Sequence, residues 1–246
     1  LNVTGKKALV AAALAVVWAN AWSVAPGALT QRQDQPVVIE LFQSQGCSSC
    51  PPAQDYLNRL SDRPDVLALS YGVTYWDSLG WKDTFASPQF TDRQRDYSAR
   101  NSSDVIATPQ FWINGRETVL GANPIRVAQL ISKGGPGGPT LVVRENKLTV
   151  GEGNAPAGGA DVWLVRYDSR TVQVAIDAGE NKGLTLPHRD IVRALTRIGR
   201  WSGVPETIAL PESAGSDLDA AVLVQAGRGG PILSAMKLSA QPRPGS

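Results

Sequence analysis

The chain has two cysteines, Cys47 and Cys50, separated by Ser48 and Ser49. A bridge across so small a loop removes little chain entropy, so it serves poorly as a staple. The spacing suits reversible thiol–disulfide exchange, in which one thiolate attacks and a neighbouring thiol resolves the mixed disulfide. Cys47 is the expected nucleophile and Cys50 the resolving thiol, with a protein or small-molecule thiol or disulfide as partner. Two other readings stay open. One is a non-enzymatic binding module in which the bridge merely fixes a loop. The other is copper(I) handling by two thiolates, for which Met236, the single methionine, lies far off in sequence. Zinc asks for four ligands, and two cysteines and one histidine do not supply them. No organic cofactor and no resident metal is implied.

A reactive thiolate needs stabilisation, which the unpaired N–H groups and positive dipole end of a helix N-terminus provide. The flanking residues predict such a setting. Residues 36–42, Pro-Val-Val-Ile-Glu-Leu-Phe, form a short β-branched apolar run that reads as a buried strand. After the cysteines, Pro51 and Pro52 suit the first turn of a helix, and Ala53, Tyr56, Leu57 and Leu60 follow at helical spacing. Further on, the pattern predicts a strand over 66–73, a helix after Ser87-Pro88, and a strand at 109–113. Asn114-Gly115 then marks a hairpin into 117–120, and a helix opens at Asn123-Pro124. That order is the arrangement of an α/β thioredoxin-like domain, over 36–133, with a helical insertion around 72–105. Residues 134–139, Gly-Gly-Pro-Gly-Gly-Pro, read as a linker. Beyond it, short strands between frequent turns predict a smaller β-sandwich-like, β-rich domain over 140–240, with a tail at 241–246. Periodicity leaves 189–198 open between helix and strand.

Within that frame four more positions become candidates. Thr108-Pro109 precedes a strand, where a cis proline in a thioredoxin-like fold lies against the cysteine pair and, with Thr108, shapes the edge on which a substrate strand docks, the alternative being an ordinary trans proline at a strand start. Glu40 interrupts the first apolar strand; buried, its carboxyl would have a raised pKa and would serve the resolving cysteine as a proton shuttle, the alternative being an exposed or hydrogen-bonded Glu at a strand end. Trp76 and Trp81 flank Asp77 and Gly80 in the insertion and are expected to line a substrate groove, the alternative being plain packing. His188, the one histidine, reads as a surface or hydrogen-bonding residue in a loop.

Composition narrows the compartment and the partners. Lys6 and Lys7, the apolar stretch Ala8 to Trp18, and small residues at Ala19 and Ala21 predict an export signal over 1–21, followed by a flexible leader over 22–35. The apolar stretch is shorter than the roughly 20 residues a bilayer span needs, so no membrane span is expected once the signal is cleaved. An oxidising, disulfide-permissive location is expected: periplasmic or secreted. Of 24 basic residues two belong to that signal, leaving 22 against 22 acidic. No concentrated positive patch remains, which argues against nucleic-acid binding.

Several unusual words recur in order: residues 40–53 (Glu-Leu-Phe-Gln-Ser-Gln-Gly-Cys-Ser-Ser-Cys-Pro-Pro-Ala), 75–83 (Tyr-Trp-Asp-Ser-Leu-Gly-Trp-Lys-Asp) and 91–94 (Thr-Asp-Arg-Gln). Thr108-Pro109-Gln110, Asn114-Gly115, residues 163–167 (Trp-Leu-Val-Arg-Tyr) and Gly179-Glu180-Asn181 follow. Over about residues 36–240 the chain resembles the exported bacterial family known as domain of unknown function 1223. The resemblance implies a thioredoxin-like fold and an exported protein, and leaves the substrate open. In one respect the chain departs from it: the family tends to carry His and Asp just ahead of the Tyr-Trp-Asp word, where Gly72 and Thr74 stand here. Any proton transfer or metal binding by that His and Asp would be lost.

Overall fold

The structure, a computed structural model, describes residues 1–2, 35–101, 105–211 and 217–238. The export signal beyond its first two residues, the leader up to residue 34 and the tail from 241 therefore lie outside the described residues. In chain order the elements are β1 (Val37–Gln43), α1 (Pro51–Leu60), β2 (Val66–Gly72), a short 3-10 helix (Thr74–Leu79), α2 (Pro88–Arg100), β3 (Gln110–Ile113), β4 (Glu117–Leu120) and α3 (Pro124–Ile131). Nine strands follow: β5 (Leu141–Arg144), β6 (Lys147–Val150), β7 (Ala160–Asp168), β8 (Val172–Ala175), β9 (Thr185–His188), β10 (Ile191–Trp201), β11 (Glu206–Ala209), β12 (Asp219–Gln225) and β13 (Ile232–Leu238).

Local chemistry explains the boundaries in the first half. Ser87 accepts a hydrogen bond from the Gln89 N–H and caps α2, and Asn123 accepts from the Arg126 N–H and caps α3. Pro88 and Pro124 follow those caps, where a missing N–H costs nothing. Asn114 and Gly115 both take positive φ (49° and 60°), as a tight hairpin between β3 and β4 requires.

The strands assemble into an eight-stranded mixed sheet of order β13-β12-β7-β10-β2-β1-β3-β4, with a three-stranded sheet β11-β6-β5 and a two-stranded ribbon β8-β9. β1 and β2 run parallel and β1 and β3 antiparallel. Alternation along β1 sends Val37, Ile39 and Leu41 to the face covered by α1 and α3, with Ala53, Leu57, Val127 and Leu130. Val38 and Phe42 go to the opposite face, with Phe90 and Tyr97 of α2.

The expected boundary at 134–139 does not separate two cores. Val165, Ala221 and Leu223 from after it share a core with Val38, Phe42 and Tyr97 from before it. β10 reaches β2 at Ile191↔Ser70, reinforced by the Ser70 N–H donating to the Asp190 carbonyl (2.8 Å). The segment itself is tied down, with the Gly138 N–H donating to the Leu233 carbonyl and the Ser234 hydroxyl to that of Pro139. Sandwich packing does occur. One of its layers is the continuation of the main sheet: Leu141, Leu148, Val150 and Ile208 of the small sheet pack on Val162, Leu164, Trp201, Val222 and Val224.

Residues 189–198 belong to a strand, β10. Register shifts between Val192 and Ala194 and between Arg197 and Gly199 break its two-residue alternation, which is why periodicity did not resolve it. His188 ends β9 and is 1% exposed, not at the surface. Neither ring nitrogen has a hydrogen-bond partner among the described residues; the ring meets Phe85 edge-on at 5.7 Å. Burial lowers its pKa to about 4.

That shift carries a pH prediction. Between about 4 and 6.5 the unfolded chain binds the His188 proton and the folded chain does not, so this histidine destabilises the fold as pH falls through that window. Burial pushes the Asp83 and Asp190 carboxyls up to about 6, and their contribution has the opposite sign, being lost as pH rises. The variant isolates one contribution from the others. His188→Leu should gain on the wild-type protein as pH drops from 7 to 4.5, by on the order of 3 kcal/mol at the limit, in urea unfolding. A gap that stays constant with pH would contradict it.

Candidate functional site

The turn after β1 carries the cysteines to the mouth of α1. Cys50 is the N-cap residue and Pro51 opens the helix. Cys47 and Cys50 are joined by a disulfide, with their Cα atoms 5.4 Å apart. The Cys50 N–H donates to the Cys47 carbonyl (3.1 Å), and the Ala53 and Gln54 N–H groups both donate to the Cys50 carbonyl (3.0 Å). The pair thus forms the first turn leading into the helix.

Thr108 and Pro109 come to the same place. Their peptide bond is cis. The Thr108 carbonyl oxygen lies 3.8 Å from Cys47 Sγ and 3.4 Å from the Ser49 hydroxyl, which is itself 3.3 Å from Cys47 Sγ.

Ser48 and Ser49 face solvent, whereas Cys47 and Cys50 are 0% and 1% exposed. The tip of the ribbon β8-β9, far along the chain, is hydrogen-bonded to the cysteine turn. Asn181, in the tip of that ribbon, is buried and donates through Nδ2 to the carbonyls of Gln45 (2.8 Å) and Cys47 (2.9 Å). Glu180 beside it accepts from the Ser48 N–H (3.0 Å) and hydroxyl (2.7 Å), which holds its carboxyl below the usual range. At the base, Asn58 of α1 donates to the Pro187 carbonyl and accepts from the Arg189 N–H.

The tryptophans part company. Trp81 belongs to the site: its Nε1–H donates to Gln45 Oε1 (2.9 Å), and it lies against Gly46 and Gly179. Trp76 is half-buried and packs with Tyr75 on the core beneath α2. Asp83 completes the support of the turn, accepting from the Gln45 N–H (2.8 Å) and the Phe85 N–H (2.7 Å). Burial pushes its carboxyl up to about 6 against these two donors.

Glu40 does not join the cysteines, which corrects the proton-shuttle expectation. It shares the α2 face of β1 with Val38 and Phe42, away from α1. It is fully buried, accepting from Arg93 Nε (2.7 Å) and from the Tyr97 hydroxyl. A carboxylate so paired is a structural ion.

A cavity of about 760 Å³ lies elsewhere, between α2 and strands β7 and β10. Arg93, Trp163, Leu195 and Gln225 are among its lining residues, and neither cysteine is. Among the described residues no three His, Cys, Asp or Glu side chains come together as a metal site would need. Among them also no helix is long and apolar enough to cross a membrane.

A family model described as "Protein of unknown function (DUF1223)" matches residues 38–225. The chain belongs to the DUF1223 family. The crystal structure of an Agrobacterium tumefaciens protein, a structural-genomics target, is 32% identical. It superposes with a TM-score of 0.70 over 86% of this chain and 98% of that one. HBP35 of Porphyromonas gingivalis shares 14% identity and a TM-score of 0.53 over 84% of this chain and 75% of that chain, a likeness of fold alone. No curated protein matches the chain.

In this DUF1223 member the positions expected to hold His and Asp do packing work. A Cβ on Gly72 would stand 2.8 Å from the Ala86 nitrogen and 2.9 Å from the Phe85 carbonyl carbon, so a side chain there would require the Phe85–Ala86 backbone to move. The Thr74 N–H and hydroxyl both meet the Thr91 hydroxyl (2.9 and 3.0 Å). Asp83, Glu180 and Asn181 had no role assigned from sequence. They lie in the words 75–83 and 179–181, two of those on which the resemblance to the family rests.

Proposed function

We propose that this DUF1223 protein is an exported thiol–disulfide oxidoreductase whose redox domain, β1 to α3, is thioredoxin-like with the 3-10 helix and α2 as its insertion. One observation carries the reading. A disulfide sits at the first turn of a helix that follows a buried parallel strand, and the carbonyl preceding a cis proline faces its first sulfur at 3.8 Å. In this reading Cys47 attacks and Cys50 resolves. Thr108 and Pro109 shape the edge where the substrate, a protein or small thiol, meets Cys47, and Trp81 lines its approach. Lys6-Lys7 and the apolar stretch after them support a place outside the cytoplasm.

A second reading draws on the burial of both sulfurs: a binding module with a purely structural bridge. The reduction potential separates the two. Equilibrated with dithiothreitol or glutathione buffers, a working pair should titrate above about −300 mV, whereas a structural bridge should resist reduction below that value. A potential below that limit would refute the oxidoreductase proposal.

A further inference from the structure

The oxidoreductase reading leaves the direction of electron flow open. What sets it is how well the reduced form is stabilised, because a well-stabilised Cys47 thiolate makes the disulfide a strong oxidant. The donors that could provide that stabilisation are the N–H groups around the start of α1.

Here almost all are spent. The Cys47 N–H donates to the Ser44 carbonyl and that of Cys50 to the Cys47 carbonyl (both 3.1 Å). Pro51 and Pro52 have no N–H, and those of Ala53 and Gln54 are turned to the Cys50 carbonyl. The Ser48 N–H, between the two sulfurs in sequence, is taken by Glu180 Oε2 at 3.0 Å. Of the described backbone donors from 47 to 54 this leaves the Ser49 N–H, and the Ser49 hydroxyl is shared between the Thr108 carbonyl (3.4 Å) and Cys47 Sγ (3.3 Å). The charges around the turn point the same way. Glu180 faces it from the ribbon tip and Asp83 from the loop after the 3-10 helix. No Lys, Arg or His side chain is hydrogen-bonded or ion-paired to residues 44–50 among the described residues.

Building on the oxidoreductase reading, we propose that Glu180 is a positioning residue which biases the Cys47–Cys50 couple toward the disulfide, making this protein a weak oxidant that passes electrons on once reduced. Glu180 occupies the Ser48 N–H and sets a negative charge on the residue directly after Cys47, which disfavours a thiolate there. The couple is balanced: the disulfide takes two electrons and two protons from two glutathione molecules, giving two thiols and one glutathione disulfide.

The test is the equilibrium with graded mixtures of glutathione and its disulfide, read by thiol alkylation and mass. Glu180→Gln keeps an oxygen for Ser48 and removes only the charge. It should move the equilibrium constant about three- to tenfold toward the dithiol, tenfold being about 30 mV for a two-electron couple. Added salt should narrow the difference, because Glu180 is exposed. Asp177→Asn, on the same ribbon tip but with no bond to Ser48, should stay within about twofold of wild type. Exchange in the wild-type protein with an unmoved or oppositely moved Glu180→Gln constant would overturn the assignment and leave the oxidoreductase reading standing. A pair inert to glutathione in wild type and variant alike would overturn both.

Discussion

Cys50→Ser is expected to accumulate a mixed disulfide on Cys47 to near completion when offered an oxidised small thiol, whereas Cys47→Ser should accumulate none. In the first variant the Cys47 thiolate attacks one sulfur of glutathione disulfide, a thiolate leaves, and the new bond persists because the resolving thiol is gone. In the second, the remaining sulfur is at the N-cap, directly before Pro51, and lacks the Thr108 carbonyl and Ser49 hydroxyl that face Cys47. Both variants should lose all disulfide reductase activity, since turnover needs both sulfurs. Intact mass after a glutathione disulfide pulse reads the adduct directly. Equal adducts, or unaltered activity in both, would remove the case for an attacking and a resolving cysteine.

The order of elements around this chemistry was legible because local signals wrote it. Pro51-Pro52 started a helix, Asn114-Gly115 made a hairpin, and Ser87 and Asn123 capped as such residues do. Where sequence failed, the deciding partner was remote or the local rule was broken. β9 escaped notice because Pro187 stands inside a four-residue strand, a position the ribbon β8-β9 tolerates. β10 was ambiguous because its bulges shift side chains from face to face. The clasp on the cysteine turn comes from Asn181, 134 residues from the Cys47 carbonyl it binds, and no spacing rule reaches that far. For Glu40 the hydrogen-bonded alternative holds and the proton shuttle does not, because a pairing with Arg93, 53 residues away, leaves no mark in an apolar strand.

That pairing supports the largest stability prediction. Arg93 is 7% exposed and Glu40 0%. The guanidinium donates to Glu40 (2.7 Å), to Gln225 Oε1 (3.0 Å) and to the Tyr97 hydroxyl (3.0 Å), and the Tyr97 hydroxyl donates in turn to Glu40. β1, α2 and β12 are joined in one buried network. Arg93→Met leaves the Glu40 carboxylate uncompensated away from water and should cost about 3–5 kcal/mol in urea unfolding at neutral pH. Replacing both partners, as in Glu40→Leu with Arg93→Met, removes the charge that needed compensation and should cost clearly less than the single change. A single-variant loss below about 1 kcal/mol, or a double variant no better than the single, would mean that the pair does not hold the fold. The double variant also separates structure from chemistry. Glu40 lies on the face of β1 away from α1, so wherever the double variant folds, its glutathione equilibrium should match wild type within about twofold. A larger shift would return Glu40 to the redox mechanism.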